Sequence, residues 1–305
     1  MHAEINNIIG LDLGNITTAV VTSKGSEVYE SRLMKSTDIQ ELGDTTVLET
    51  EGDRFAIGKG EFENNLFKYD KENFIQLLHY GVANNTTSGN IKLLTGIPAS
   101  QYNNFKDELK NKIMANNKID VKINGEQKRI TIEEVAVLPE GYGVFKATDP
   151  NLLVQGARTI VIDVGGGSTD LAFFDEHGRF IDGDSIDLGL LDLYKAVQSE
   201  VHNLYKTYKS IEDIKEYYRG NTVFIGVGND ARIAPTKDIF KSLFNKVVGK
   251  CKDIKQYNVI VCGGGAEVFG QAFKHILPQT IINTDISANA KAYYVAGVSK
   301  WQRRK

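Results

Sequence analysis

The chain has 305 residues, of which 41% are apolar and 25% charged, and its 36 basic and 39 acidic side chains give a formal net charge of −3. This composition excludes a disordered or fibrous protein, and the small negative charge provides no general attraction to nucleic acid or anionic membranes. Because domains average about 150 residues, the length predicts two domains.

Glycine usage is the unusual feature of the composition. There are 29 glycines and 5 prolines, where an average chain of this size would carry roughly 20 and 15. Cys251 and Cys262 form neither a disulfide framework nor a Cys-x-x-Cys pair, and the histidines are scattered, so we expect no metal cluster held by side chains. Without an apolar run of about 18 residues or a signal pattern, the sequence predicts a cytoplasmic protein.

The first half begins with strand-like alternation of apolar and polar residues. It predicts the following elements, in chain order: strands at Ile5–Leu13 and Ile16–Val21, a turn at Gly25-Ser26, a strand at Val28–Met34, strands at Thr45–Glu49 and Phe55–Ile57, a helix around Phe74–Tyr80, a strand at Ile91–Thr95, a helix starting near Ser100, and a hairpin around Asn124-Gly125. The polar stretch from Lys35 to about Asn90 is expected to be a small inserted subdomain.

The second half opens with the same layout as the first. It predicts, in chain order, strands at Thr159–Val164 and Leu171–Phe174, a helix from Leu190 to Leu204, a short strand at Val223–Ile225, a helix from Phe240 to Cys251, a strand at Asn258–Cys262, and a last helix capped by Ser287. Strands and helices alternate throughout, which indicates an α/β fold.

Two strand–turn motifs carry the chemistry. Asp12 is followed by Leu13-Gly14-Asn15, and Asp163 is followed by Val164 and the run Gly165-Gly166-Gly167. Glycine turns expose backbone N–H groups that can surround phosphate oxygens, and a carboxylate beside them suits Mg²⁺, which it usually reaches through a water. Each motif alone is also typical of a plain turn, but facing each other the two would hold one polyphosphate from both sides.

A third glycine turn, Gly263-Gly264-Gly265, follows a buried strand and opens a helix. It could accept the ribose or base side of a nucleotide, or it could serve only close helix–strand packing. The sequence contains no G-x-x-x-x-G-K-[ST] motif and no G-x-G-x-x-G after the first strand, which excludes a P-loop enzyme and a dinucleotide fingerprint there.

Together these motifs resemble the actin, sugar-kinase and heat-shock-chaperone ATPase superfamily. The segment Val137-Leu138-Pro139-Glu140-Gly141 is similar to the connecting segment of bacterial plasmid-segregation actin-like ATPases of the ParM (StbA) type. The resemblance implies an actin-like ATPase fold with two duplicated ribonuclease-H-like domains, small inserted subdomains and a nucleotide cleft between the domains. It also implies that Glu140 orients the attacking water, a role that suits a carboxylate; from the residues alone Glu140 is a turn residue.

The resemblance further implies the ligands and their residues. ATP and Mg²⁺ are the expected ligands, GTP being the open alternative, with Asp12 and Asp163 as catalytic residues that hold Mg²⁺ through water. The residues expected to contact the nucleotide are Gly14, Asn15, Ile16, Thr17, Gly165, Gly166, Gly167, Ser168, Gly189, Lys215, Gly263, Gly264, Gly265 and Ala266. For Lys215, a solvated Lys–Glu helix face is the alternative interpretation.

Two positions depart from the family pattern. Asn15 stands where members commonly have Ser or Thr, and Ala19 stands where they commonly have a lysine that reaches the phosphates. The second change removes one positive charge from the expected phosphate site, and the Thr17 hydroxyl is a partial substitute.

The resemblance implies a nucleotide-driven filament that moves plasmid DNA. The expected partners are further copies of the chain and an adaptor protein bound to centromere-like DNA, with no direct contact to nucleic acid or membrane. The implied domains are residues 1–150 plus 287–305, with an insertion at about 35–90, and residues 151–286, with an insertion at about 205–256. The alternatives are a non-filamentous phosphotransferase, either a small-molecule kinase or exopolyphosphatase-like, and a cell-shape or cell-division actin homologue.

Overall fold

The structure is a computed structural model and describes residues 7–35, 45–62, 67–87, 89–222, 224, 227–228 and 230–302. Within these residues no helix is long and apolar enough to cross a membrane.

The first half is built on one mixed sheet, which has nine strands in the described part of the chain. Its elements are β1 (Ile8–Leu13), β2 (Thr17–Thr22), β3 (Gly25–Glu30), β4 (Leu33–Lys35), β5 (Val47–Thr50), β6 (Asp53–Ile57), α1 (Phe74–Asn85), β7 (Gly89–Ile97), α2 (Tyr102–Ala115), β8 (Lys118–Ile123) and β9 (Glu126–Pro139). The strand order is β3-β2-β1-β7-β9-β8-β5-β6-β4. The two strands predicted within residues 35–90, β5 and β6, therefore belong to this same sheet and join it through β8.

Two details of the first half differ from the prediction. The hairpin between β2 and β3 turns at Ser23 and Lys24, because Thr22 pairs directly with Gly25 and the Gly25-Ser26 step already belongs to β3. The single strand predicted over Val28–Met34 is interrupted, since β3 ends at Glu30 and β4 leaves it to pair with β6. Ile5, at the start of the first predicted strand, lies outside the described residues.

The second half contains a five-stranded mixed sheet in the order β12-β11-β10-β13-β14. Its elements are α3 (Tyr142–Ala147), β10 (Thr159–Val164), β11 (Thr169–Phe174), β12 (Phe180–Ile186), α4 (Leu190–Tyr205), α5 (Ile211–Tyr218), α6 (Asp230–Lys250), β13 (Asn258–Cys262), α7 (Ala266–Ile276), β14 (Thr280–Ile282) and α8 (Ala288–Gln302). The sequence did not predict β12, an edge strand whose residues are mostly half-buried. Two of the three residues of the strand predicted at Val223–Ile225 lie outside the described residues.

The two sheets repeat one arrangement. In the first, β3, β2 and β1 are antiparallel and β7 and β9 follow in parallel. In the second, β12, β11 and β10 are antiparallel and β13 and β14 follow in parallel. The repeated strand–Asp–Gly motif thus belongs to a repeated fold, with β1–β2 equivalent to β10–β11.

Helix α8 returns to the first sheet and packs between the two halves. Its approach to β1 is close enough that a Cβ on Gly10 would lie 2.3 Å from the Ala290 carbonyl oxygen. On its other side it contacts α3, where a Cβ on Gly143 would lie 2.1 Å from the Ala292 Cβ. Glycine at these two positions is required by the packing, because a methyl group has no room.

Candidate functional site

A cleft with a volume of about 420 Å³ lies between the halves, at the carboxyl ends of β1 and β10. Ligand sites of α/β sheets are found at this edge. Twelve of the predicted site residues line it: Asp12, Gly14, Asn15, Ile16, Thr17, Glu140, Asp163, Gly165, Gly166, Ser168, Gly263 and Gly264.

The two hairpin turns that face the cleft have the same hydrogen bond. The Gly14 N–H donates to the Thr17 carbonyl oxygen at 3.0 Å, and the Gly165 N–H donates to the Ser168 carbonyl oxygen at 2.9 Å. Each turn is therefore a four-residue loop closed at its base, and residues of both loops line the cleft. Such paired backbone loops are suited to an extended anion.

The strand positions of the two aspartates are equivalent, but their cross-strand neighbours are not. Asp12 lies opposite Ala19, whereas Asp163 lies opposite Asp170. The Ser168 hydroxyl donates to Asp170 at 3.1 Å. The first turn is thus lined by a small apolar residue at the position where the second carries a carboxylate.

Glu140 and Asp163 are connected through a residue of α8. The Asn289 amide donates to an Asp163 carboxylate oxygen at 2.7 Å, and its own oxygen accepts from the Gly141 N–H at 3.3 Å. Gly141 directly follows Glu140 and has a φ of 79°, a conformation that favours glycine. Both ends of a buried amide therefore fix the Asp163 carboxylate relative to the backbone that carries Glu140.

The hydroxyl of Tyr293 lies near the carboxylates of this network. The side chain is fully buried, and its oxygen has no hydrogen-bond partner among the described residues. Burial raises the pKa of Tyr293 well above its ordinary value, and the nearby carboxylates of Asp12 and Glu140 raise it further. Burial likewise raises the pKa of the Cys262 thiol, with a further contribution from Asp163, so Cys262 is a buried and unreactive thiol.

Five predicted contact residues do not line the cleft. Gly167 belongs to the second turn; Gly189 packs behind that turn, where a Cβ would lie 2.5 Å from the Gly166 carbonyl oxygen. Gly265 and Ala266 begin α7, and a Cβ on Gly265 would lie 2.2 Å from Val164. The third glycine turn therefore combines both interpretations: its first two residues line the cleft and its last serves helix–strand packing.

Lys215 is neither a cleft residue nor a solvated one. Its side chain is 2% exposed and forms ion pairs with Glu30 of β3 and, at 2.9 Å, with Glu212. Arg32 also bonds Glu30 and Glu212, at 2.7 and 2.8 Å, and lies over the Phe62 ring. We call Glu30, Arg32, Glu212 and Lys215 the cross-half ion cluster, because it connects the first sheet to α5.

The cleft has other lining residues, of which only Ala19 had been placed at the expected phosphate site from the sequence. They are Ala19, Val144, Asp170, Leu190, Tyr194, Tyr218, Arg219, Thr236, Glu267, Val268, Asp285, Ile286, Ala288 and Asn289. Burial raises the pKa values of Tyr194 and Tyr218 to about 12, so both hydroxyls stay protonated. Asp285-x-Ser287 before α8 is a helix-start signal that could have indicated Asp285; its carboxylate accepts hydrogen bonds from Ser287 and Lys291.

The described lining residues fit a nucleotide whose phosphates carry a cation. Asn15 is 4% exposed, and its side-chain oxygen is a buried polar atom with no partner among the described residues. No group of three His, Cys, Asp or Glu side chains in the described chain is arranged to hold a metal by itself. The two carboxylates of Asp12 and Asp163 are sufficient for Mg²⁺, because this ion keeps most of its waters and takes its other ligands from the phosphates.

Two repeated mixed sheets with a cleft between their aspartate turns define the actin-like fold, and this chain has that fold over nearly its full length. Residues 10–143 match the family model for the N-terminal domain of actin-like proteins. A search of curated proteins finds no match.

Solved structures similar to the chain include the following. The archaeal actin homologue Ta0583, solved in complex with ADP, has a TM-score of 0.80 at 19% identity and covers 95% of this chain and 98% of its own. The 15-stranded ParM filament from Clostridium botulinum has a TM-score of 0.75 at 17% identity, covering 96% and 99%. The Alp12 filament has a TM-score of 0.68 at 15% identity, covering 96% and 98%. The predicted actin-like fold is thus confirmed, and the ParM type stays a prediction.

Proposed function

We propose that this protein is a Mg²⁺-dependent actin-like ATPase that polymerises with ATP and, through an adaptor protein, moves plasmid DNA. The observation that carries the proposal is the convergence of two equivalent aspartate turns and the buried Glu140 on one cleft of an actin-like fold. Structural neighbours solved as an ADP complex and as filaments support it. The domain boundaries at 150 and 287 are part of the same proposal.

The residues of the chain have separate roles in this reaction. The turns that begin at Gly14 and Gly165 hold the phosphates through backbone N–H groups, which fixes the terminal phosphoryl group in place. Glu140 is 3% exposed and accepts a hydrogen bond from the attacking water, which it holds in line with the bond to be broken. Asn289 keeps the Asp163 carboxylate at a fixed position relative to Glu140.

Mg²⁺, held through water by Asp12 and Asp163, would neutralise charge on the phosphate oxygens when bound. The walls of the cleft require such a cation. Among its described lining residues there are six carboxylates and one arginine: Asp12, Glu140, Asp163, Asp170, Glu267, Asp285 and Arg219. Coulomb repulsion between these carboxylates and a bare triphosphate makes metal-free binding unfavourable.

The proposal is tested by sedimentation and phosphate release with purified protein at about 20 μM, a concentration that detects weak association. We expect polymer with ATP–Mg²⁺ and none without nucleotide. Glu140→Ala should lower the rate of phosphate release by about 10²-fold or more while ATP affinity stays near that of the wild type. Hydrolysis without polymer would favour the phosphotransferase alternative, and absence of ATP binding would refute the proposal altogether.

A further inference from the structure

Among the described residues that line the cleft, none is a lysine. Ala19, opposite Asp12, stands where the family resemblance leads one to expect that cation. Arg219 is the single cationic side chain among the described lining residues, and it follows the end of α5, away from the β1–β2 turn in the chain. An anion held at the first turn therefore needs positive charge from another source.

Lys71 lies directly behind that turn. Its side chain is 3% exposed, and its ammonium group donates to the Gly14 carbonyl oxygen at 2.9 Å. The lysine is 57 positions away from Gly14 in the chain. A buried ammonium group is costly to desolvate, so its location at the base of the turn is a specific feature of the fold and not a random surface contact.

The segment that carries Lys71 is firmly anchored. Tyr69 and Phe74, on either side of it, are 3% and 4% exposed. Tyr69 and Phe105 both pack against the ring of Phe67, and the Lys112 ammonium donates to the Tyr69 carbonyl oxygen. Because this packing holds the backbone, the Lys71 ammonium is directed at the turn without help from a ligand.

The charge can act on the cleft through the turn. The carbonyl that accepts from Lys71 belongs to the same peptide unit as the Asn15 N–H, and hydrogen bonding at the oxygen of a peptide strengthens its N–H as a donor. Asn15 and Gly14 both line the cleft. The ammonium also adds a full positive charge beside the position of a phosphate, in surroundings less polarisable than water.

We propose that Lys71 supplies the positive charge of the phosphate site that Ala19 lacks, acting as a positioning residue through the Gly14 carbonyl. The inference rests on the proposed function, because it requires a polyphosphate in the cleft. It predicts that the contribution of Lys71 grows with the charge of the ligand, from adenosine through ADP to ATP.

The test measures binding of ATP, ADP and adenosine, each with Mg²⁺, to the purified full chain by calorimetry. Lys71→Gln removes the charge and keeps a hydrogen-bond donor; we expect the Kd for ATP to rise about 10- to 100-fold, as for loss of a charged hydrogen-bond partner, with a smaller rise for ADP and none for adenosine. Lys71→Met is a second neutral variant whose apolar chain suits the buried position, should the first not fold. Lys71→Arg should bind ATP like the wild type.

Two further variants separate charge from structure. Lys112→Met disturbs the same segment without removing charge from the turn, and its ATP affinity should stay within about twofold of the wild type. Ala19→Lys combined with Lys71→Gln returns a cation beside Asp12 from a different strand, and it should restore most of the lost affinity.

The outcomes are distinct. If the wild type does not bind ATP, the proposed function fails. If the wild type binds ATP and the neutral Lys71 variants bind ATP equally well, the proposed role of Lys71 is wrong. It is also wrong if these variants lose as much affinity for adenosine as for ATP. Lack of rescue by Ala19→Lys, with affinity lost in Lys71→Gln, would assign Lys71 a purely structural role and also overturn the inference.

Discussion

The cross-half ion cluster gives the most quantitative prediction. Lys215→Met removes an ammonium group that is 2% exposed and leaves Arg32 as the remaining shared partner of Glu30 and Glu212. Breaking a fully buried pair from one side costs about 3–5 kcal/mol. Here Glu30 is 24% exposed and keeps Arg32, so we expect a loss of about 2–3 kcal/mol in the free energy of unfolding, which lowers the melting temperature by about 3–5 °C.

The assay is chemical and thermal unfolding of a double-mutant cycle made of Lys215→Met, Glu30→Gln and the combination. The coupling energy between the two positions should be about 1–2 kcal/mol. Lys35→Met is the matched control, because Lys35 pairs with Asp53 at 2.7 Å while the two side chains are 62% and 44% exposed. Its cost should be at most about 0.5 kcal/mol.

A coupling energy indistinguishable from zero would refute this reasoning, as would equal losses for Lys215→Met and Lys35→Met. In either case the cluster would not hold the two halves together. Both variants are compared with the same wild-type chain, so the two stability losses share one unfolded reference state.

Three further predictions follow from other contacts. Asn289→Ala should slow ATP hydrolysis more than it weakens ATP binding and should cost about 1–3 kcal/mol of stability, measured by turnover and melting; unchanged turnover would count against its positioning role. Gly143→Ala should destabilise the protein by about 1–3 kcal/mol because its methyl group meets Ala292, whereas Gly249→Ala, in an open position of α6, should be neutral or slightly stabilising. Burial alone would raise the pKa of Glu30, but its hydrogen bond and ion pair with the buried Lys215 hold the pKa below its ordinary value. The free energy that Glu30 contributes to stability is therefore fully present above about pH 4.3, the pKa of an unfolded glutamate. It is lost as the pH falls through the lower pKa of the folded state. A Glu30→Gln penalty that persisted undiminished at pH 2 would contradict this assignment.

Local patterns were sufficient to predict the turns that form the cleft. Asp12 and Asp163 each end a run of apolar residues and precede glycine, and this pattern specifies a buried strand and its turn within about ten residues. The family resemblance then added Glu140, which no local pattern distinguishes from an ordinary turn residue. The fold that brings these three carboxylates to one cleft was predicted at the level of its class and its duplication.

The remaining site residues depend on contacts between distant parts of the chain. Lys71 and Asn289 meet partners 57 and 126 or more positions away, and no periodicity encodes such pairings. Lys215 illustrates the same limit: it was predicted to contact the nucleotide, with a solvated helix face as the alternative, whereas its ammonium group is buried against Glu30 of β3. Strand β12 escaped prediction because its edge position leaves it polar, so the alternation that marks a half-buried strand is missing.

The chain passes between the two sheets twice, once through residues 140–158 and once through residues 283–287. Because two such connections define an axis, we expect rotation about it to change the width of the cleft while each sheet stays rigid. Glu140 opens the first connection, and Asn289 lies two residues after the second. The Gly141 N–H, next to Glu140, donates a hydrogen bond to the side-chain oxygen of Asn289. We therefore expect the angle between the halves and the direction of the Glu140 carboxylate to change together, so that, in the proposed ATPase, any contact that fixes this angle also fixes the rate of hydrolysis.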